Sequence, residues 1–231
     1  MGHPRVRLTR SSVATARGAA AVELAVPACP ARALVVLGHG AGGGIEAPDL
    51  ATLAAALPAA GFAVARVEQP YRVAGRRMPP ASRQLDAAWL AVVAELVGRP
   101  GLVGLPLVVG GRSSGARVAC RNAAATGAAA VLGLAFPLRP PGRPVSRLDE
   151  LLGVPVPTLV VQGSRDCFGM PSDFPTSLPA KIELIEVAGA DHGFRARRAD
   201  GRRSAECLAD VRTAVVGWLD RRLPVSQRGS G

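Results

Sequence analysis

The stretch Gly110-Gly111-Arg112-Ser113-Ser114-Gly115-Ala116 decides how the rest of the chain is read. It follows the apolar run 105–109, whose length and β-branched content predict a buried strand, and it precedes a segment able to form a helix. A serine that attacks a carbonyl must project from a tight strand-to-helix turn. Small residues two before and two after it, here Gly111 and Gly115, let the strand and helix pass closely. The spacing selects Ser113 rather than Ser114, because centring on Ser114 would put Arg112 at that crossing. A Gly-, Ala- and Ser-rich chain also produces this pentapeptide as a plain β-α turn, so the rest of the sequence must discriminate.

With 231 residues, the chain is expected to form a single domain spanning 1–231, with residues 1–17 and 225–231 flexible. A hydrophobic content of 48% excludes a disordered chain, and the 3% of aromatics leaves Val, Leu and Ala to build the core. The net charge of +11 invites a nucleic-acid reading, but Lys181 is the single lysine against 27 arginines. That skew, with abundant Ala, Gly and Pro, resembles a coding bias, and no RNA-binding or zinc-finger motif accompanies it. No nucleic-acid partner is expected. Cys29, Cys120, Cys167 and Cys207 form no Cys-x-x-Cys pair, so packed thiols in a reducing compartment are expected; that includes Cys167 beside Asp166. With His3, His39 and His192 as the only histidines, no metal site is expected. Arg10, Arg17 and Glu23 interrupt any signal-peptide core, and the longest uncharged run, 122–138, is too short for a membrane span. A cytoplasmic protein without membrane association is the expectation.

Further strands are predicted at 20–26 (an edge strand), 33–37, 62–67, 129–135, 158–162 and 182–187. Helices are predicted from Pro48-Asp49, from a Ser82 cap to about Val97, after Ser113, near 171–178 and over 204–223. The alternation implies an α/β fold, a mainly parallel doubly wound sheet with helices on both faces. Reactive groups then collect at the carboxyl ends of strands. Ser113, Asp166 and His192 each follow a strand, in that chain order. Asp191 is a rival to Asp166, but a residue adjacent to His192 reaches its ring with difficulty; Asp173 stays open as a second rival.

The segments Gly38-His39-Gly40-Ala41-Gly42-Gly43, Gly111-Arg112-Ser113-Ser114-Gly115, Val161-Gln162-Gly163-Ser164-Arg165-Asp166 and Asp191-His192-Gly193-Phe194 resemble the α/β-hydrolase superfamily. The proline-rich run from Phe136 through Arg143 to Pro144 is similar to its small, lidless dienelactone-hydrolase-like and testis-expressed hydrolase-like members. The resemblance covers roughly 33–223 and implies an α/β-hydrolase fold without a large cap. It implies that Ser113 attacks a carbonyl, His192 moves the proton and Asp166 orients the imidazole. It further implies an oxyanion hole from the backbone N–H groups of Ala41 and Ser114, with Gly40, Gly111 and Gly115 shaping loop and elbow. His39 reads as a loop-ordering residue. The implied substrate is a small acyl compound, an ester, lactone or thioester, and no cofactor is implied.

Arg112, with Arg72, Arg76 and Arg77 at the same edge, would contact a substrate anion, unless these are solvated surface arginines. The cluster Arg195, Arg197, Arg198, Arg202 and Arg203 either rings the site or solubilises its loop. Two rival readings remain. A catalytically inert hydrolase-fold binding module is compatible with the same motifs. Gly38-His39-Gly40-Ala41-Gly42-Gly43 also satisfies a dinucleotide-binding pattern, with Glu68 ending the next strand, but Gly44 and Pro48 delay the helix that such a site needs.

Overall fold

Val- and Leu-rich runs bounded by glycine make the central strands, and their complete burial fixes the sheet as the middle layer of the molecule. The computed structural model describes residues 6–142, 144–197, 199 and 201–223. Their strands are β1 Arg7–Thr15, β2 Gly18–Val26, β3 Leu34–Gly38, β4 Ala63–Glu68, β5 Leu107–Arg112, β6 Ala130–Leu134, β7 Thr158–Gly163 and β8 Ile182–Val187. They form one sheet of order β1-β2-β4-β3-β5-β6-β7-β8, in which β2 pairs antiparallel with β1 and β4 and every other pairing is parallel.

Helices cover both faces. On one lie α1 Pro48–Ala56 and α6 Ser204–Arg222, which bury Leu50, Leu53, Val211, Val215 and Trp218 against the sheet. On the other lie α3 Ser82–Val97, α4 Ser114–Asn122 and α5 Leu148–Leu152, which contribute Trp89, Val92, Val118 and Leu151. The short α2 Pro70–Val73 follows β4, and its Pro70 occupies the first helical position. The near-absence of aromatics is met by β-branched and Leu side chains, with Trp89 and Trp218 filling the largest gaps.

Four expectations need correction. Residues 7–15, expected to be flexible, form the edge strand β1, and 20–26, expected at the edge, lies one place inside it. Only Val13 of β1 is buried, so the strand shows no apolar alternation. Its register, with Arg10 opposite Glu23 and their side chains 3.0 Å apart, is set across the pair. Ser82 starts α3 without acting as its cap, and 171–178 holds only a one-turn 3-10 segment, Pro171–Asp173. Residues 1–5 and 225–231, also expected to be flexible, lie outside the described residues.

The crossing of β5, α4 and β3 depends on glycine. A Cβ on Gly115 would sit 2.3 Å from the Gly38 carbonyl oxygen, and one on Gly111 2.4 Å from the same atom. Both obstacles are backbone and cannot rotate away. Gly115→Ala is therefore expected to lower stability by about 3 kcal/mol or more. Gly42→Ala, whose Cβ would have no neighbour within 4 Å, is expected to be near neutral. Urea titration of the two variants checks this pair; equal midpoints would mean that the crossing relaxes.

Candidate active site

The chain leaves β5 through a turn in which Ser113 has φ 53° and ψ −112°, a positive-φ conformation that a side-chain-bearing residue adopts only under constraint. The constraint is visible on both sides: the Ser113 N–H donates to the Leu134 carbonyl at 2.9 Å, and α4 begins at the next residue. Ser113 is thereby lifted from the carboxyl edge of the sheet. Parallel β7 and β8 end at the same edge, and the loops after them carry Asp166 and His192.

The structure brings these three side chains together. His192 Nε2 lies 3.0 Å from Ser113 Oγ, and its Nδ1 lies 2.8 and 2.9 Å from the two oxygens of Asp166. Asp166 is 1% exposed, whereas the His192 side chain keeps 18% of its surface open. The carboxylate has two further donors: Phe168 N–H at 2.8 Å on Oδ1 and Gln162 Nε2 at 2.9 Å on Oδ2. With three donors converging, Asp166 is held as an acceptor facing the ring. The rival carboxylates are occupied elsewhere. Asp191 Oδ1 accepts the N–H groups of Gly193 and Arg195 within its own turn, and Asp173 Oδ2 accepts Met170 N–H.

Four supporting residues were not singled out from sequence. Gln162, a buried amide in the apolar run of β7, shares the two hydrogens of Nε2 among Asp166, the Gly169 carbonyl at 2.7 Å and the Phe136 carbonyl at 3.2 Å, and so ties the proline-rich segment to the Asp166 turn. A glutamine inside a buried strand was the available signal. The Phe168 ring lies 4.3 Å from the His192 ring, centre to centre, and bounds one face of it. Tyr71 donates its hydroxyl to the Ala41 carbonyl at 2.6 Å; burial pushes its phenol up to about 12, so it remains a donor. Asp49 is treated with Arg112 below.

Ala41 and Gly40 belong to the glycine loop after β3, and Ser114 is the first residue of α4, where a backbone N–H has no intrahelical acceptor. A Cβ on Gly40 would come within 3.1 Å of Arg112 Nη1 and 3.6 Å of Ser113 Cβ, so the glycine lets the loop lie against the elbow. His39 is 3% exposed; its Nδ1 lies 2.7 Å from the Gly40 carbonyl, and its Nε2 accepts Gln69 N–H at 3.0 Å. Those partners require the neutral ring protonated at Nδ1, and burial lowers its pKa in the same direction. His39 orders the loop, as expected. The helix that follows in the chain starts only at Pro48, outside the glycine motif, whereas a dinucleotide-binding turn starts its helix within the motif.

Arg112 makes two contacts within the fold. Its Nε is 3.0 Å from Asp49 Oδ2, and its Nη2 donates to the His192 carbonyl at 2.6 Å. The guanidinium charge expected to meet a substrate anion is already matched by a buried carboxylate, and the side chain tethers the His192 loop to the elbow. Burial raises the Asp49 pKa, with Arg112 opposing it. For an acid raised on folding, the stability it contributes is fully present below the unfolded value, about 3.9, and is lost as pH rises through the folded one. Removing Arg112 widens that window. Arg112→Met is thus expected to lose stability at pH 8, toward the lower end of about 3–5 kcal/mol, and less at pH 5. Thermal melts at both pH values check the sign; a larger loss at pH 5 would contradict it.

Cys167, expected to be packed, is exposed, because the turn that directs Asp166 inward turns its successor outward. Arg202 pairs with Asp210 and Arg203 with Glu206, so these members of the arginine cluster are committed to α6; Arg198 lies outside the described residues. Among the described residues no group of three or more His, Cys, Asp or Glu could hold a metal ion, and no helix is long and apolar enough to cross a membrane.

A family model described as an alpha/beta hydrolase domain matches residues 31–220. Among solved structures, the chain is similar to a lidless serine hydrolase from Xanthomonas campestris, at 20% identity and a TM-score of 0.75 over 95% of this chain and 97% of that one. It is also similar to dienelactone hydrolase from Anabaena variabilis (22%, 0.74, covering 94% and 99%). An esterase domain from Rhodothermus marinus matches at 15% identity and a TM-score of 0.68, covering 93% and 99%. At these identities the likeness is one of fold. No curated protein sequence matches the chain significantly.

Proposed function

The chain belongs to the alpha/beta hydrolase family, and we propose that it is a serine hydrolase that cleaves a small ester, lactone or thioester through an acyl-enzyme on Ser113. The observation that carries this reading is the continuous hydrogen-bonded line from Ser113 Oγ through both nitrogens of His192 to buried Asp166. In the first half-reaction the Ser113 oxygen bonds to the substrate carbonyl carbon while His192 Nε2 takes the hydroxyl proton. The carbonyl oxygen becomes an oxyanion, received by the backbone N–H groups of Ser114 and Ala41. Collapse breaks the bond to the leaving oxygen or sulfur, to which His192 returns the proton. Water then repeats the sequence on the acyl-enzyme. Asp166 keeps the proton of the neutral ring on Nδ1 and offsets the charge of the imidazolium.

An acyl substrate of modest size is favoured by the connection between β6 and α5, residues 135–147, which carries no helix among its described residues. The fold neighbours agree with this, since the Xanthomonas protein is described as lidless.

Intact-mass analysis after fluorophosphonate treatment, combined with assays on p-nitrophenyl acetate and butyrate, tests the reading. One adduct per chain and measurable hydrolysis are expected. A natively folded protein that takes no adduct and cleaves neither ester would instead fit a hydrolase fold used only for binding.

A further inference from the structure

Beside the elbow, on the β1-β2 side of the same sheet edge, lies a cavity of about 360 Å³ that contains none of Ser113, Asp166 and His192. The turn between β1 and β2 supplies Arg17, the segment after β4 supplies Gln69, Tyr71 and Arg76, and the start of α3 supplies Gln84 and Leu85. No carboxylate lines it, and neither Arg17 nor Arg76 has a carboxylate partner among the described residues. Gln69 is 6% exposed, and its Oε1 has no hydrogen-bond partner among the described residues, while its Nε2 donates to the Leu85 carbonyl. A buried acceptor left unmatched costs about 1–3 kcal/mol, so a donor delivered to it from the cavity removes that cost.

Two unmatched cations and one unmatched buried acceptor, set against the apolar surfaces of Pro70, Pro80 and Leu85, define the complement. A small anion that also carries a hydrogen-bond donor complements this lining, with the anionic groups toward the arginines and the donor toward Gln69. We propose that this cavity is a binding site for a small hydroxycarboxylate, with Arg17 and Arg76 taking its carboxylates and Gln69 Oε1 accepting its hydroxyl. The site adjoins the residues that hold the glycine loop: Tyr71 bonds the Ala41 carbonyl, and the Gln69 N–H bonds His39. An occupant therefore touches the supports of Ala41 without touching Ser113.

Binding is independent of turnover, so it is measured by calorimetry on the full chain with L-malate, succinate and inorganic phosphate as probes. L-malate is expected to bind saturably at one site. Succinate, which lacks the hydroxyl, is expected to bind about tenfold more weakly because Gln69 stays unmatched. Arg17→Gln and Arg76→Gln alter exposed side chains and are each expected to weaken L-malate by roughly three- to tenfold. The Ser113→Ala protein is expected to bind L-malate as the wild type does, which separates this site from the elbow whether or not the protein proves to be a hydrolase. Four results would overturn the proposal: no saturable L-malate binding, equal affinity for succinate or phosphate, unchanged affinity in both Arg17→Gln and Arg76→Gln, or loss of binding in Ser113→Ala.

Discussion

Ser113→Ala is expected to keep the wild-type thermal transition, to take no fluorophosphonate adduct and to lose on the order of 10⁵–10⁶-fold in kcat. The size of the loss follows from what Oγ does in the proposed reaction: with no nucleophile, only binding and the two backbone donors remain to act on water. The fold should be indifferent, because the hydroxyl has one partner, His192 Nε2, on a side chain that retains solvent access. The backbone at this position gives a second test. At φ 53° and ψ −112° an alanine suffers the same strain as the serine, whereas a glycine does not. Ser113→Gly is therefore expected to be more stable than Ser113→Ala by about 1 kcal/mol, although both are inactive. A stable, inactive alanine variant with a still more stable glycine variant would mark a turn strained to present an oxygen. An alanine variant that retained esterase turnover would remove Ser113 from the mechanism.

What the sequence makes legible here depends on whether a residue's role is set by its neighbours in the chain or by contacts across the fold. The strands β3 to β7 are largely buried on both faces and read directly as apolar runs, the edge strand β8 keeps enough apolar residues to be found, and the elbow is announced by glycines whose Cβ positions are blocked by the Gly38 backbone. Ser113, Asp166 and His192 are legible because each follows such a strand. β1 is not, since eight of its nine residues escape full burial and its pairing is determined by β2. The roles of Arg112 and Asp49 are also illegible. An arginine beside the nucleophile reads as a substrate contact, and an aspartate in a first helical turn reads as a partner of the helix dipole. Only the packing of α1 against the end of β5 turns them into a pair and frees Nη2 for the His192 carbonyl. Tyr71 and Phe168 are missed for the same reason, because a lone aromatic in a loop carries no periodic signal.

Asp166→Asn should produce the other large loss, about 10⁴-fold in kcat, with the fold retained. The carboxylate accepts from Phe168 N–H on Oδ1, from Gln162 Nε2 on Oδ2 and from His192 Nδ1. An asparagine can offer one acceptor oxygen. If that oxygen stays with the fixed backbone donor of Phe168, the new NH₂ group faces Gln162 and the imidazole. His192 then meets a donor, and its neutral form is stable only with Nδ1 as the acceptor and the proton on Nε2. That proton points at Ser113 Oγ, so the ring can no longer accept the hydroxyl proton. The nucleophile is present and the base is occupied. Fluorophosphonate labelling should slow along with ester hydrolysis, since both need Oγ activated. The clash between Gln162 and the new amide should cost about 1–3 kcal/mol of stability, which leaves a folded protein to assay. In the proposed reaction Ser113 and His192 act as a unit, so the Ser113→Ala/Asp166→Asn double variant should be no slower than Ser113→Ala alone. Additive losses would show that Asp166 contributes through something other than the ring it faces, and near-wild-type turnover in Asp166→Asn would transfer the acid's role to another carboxylate.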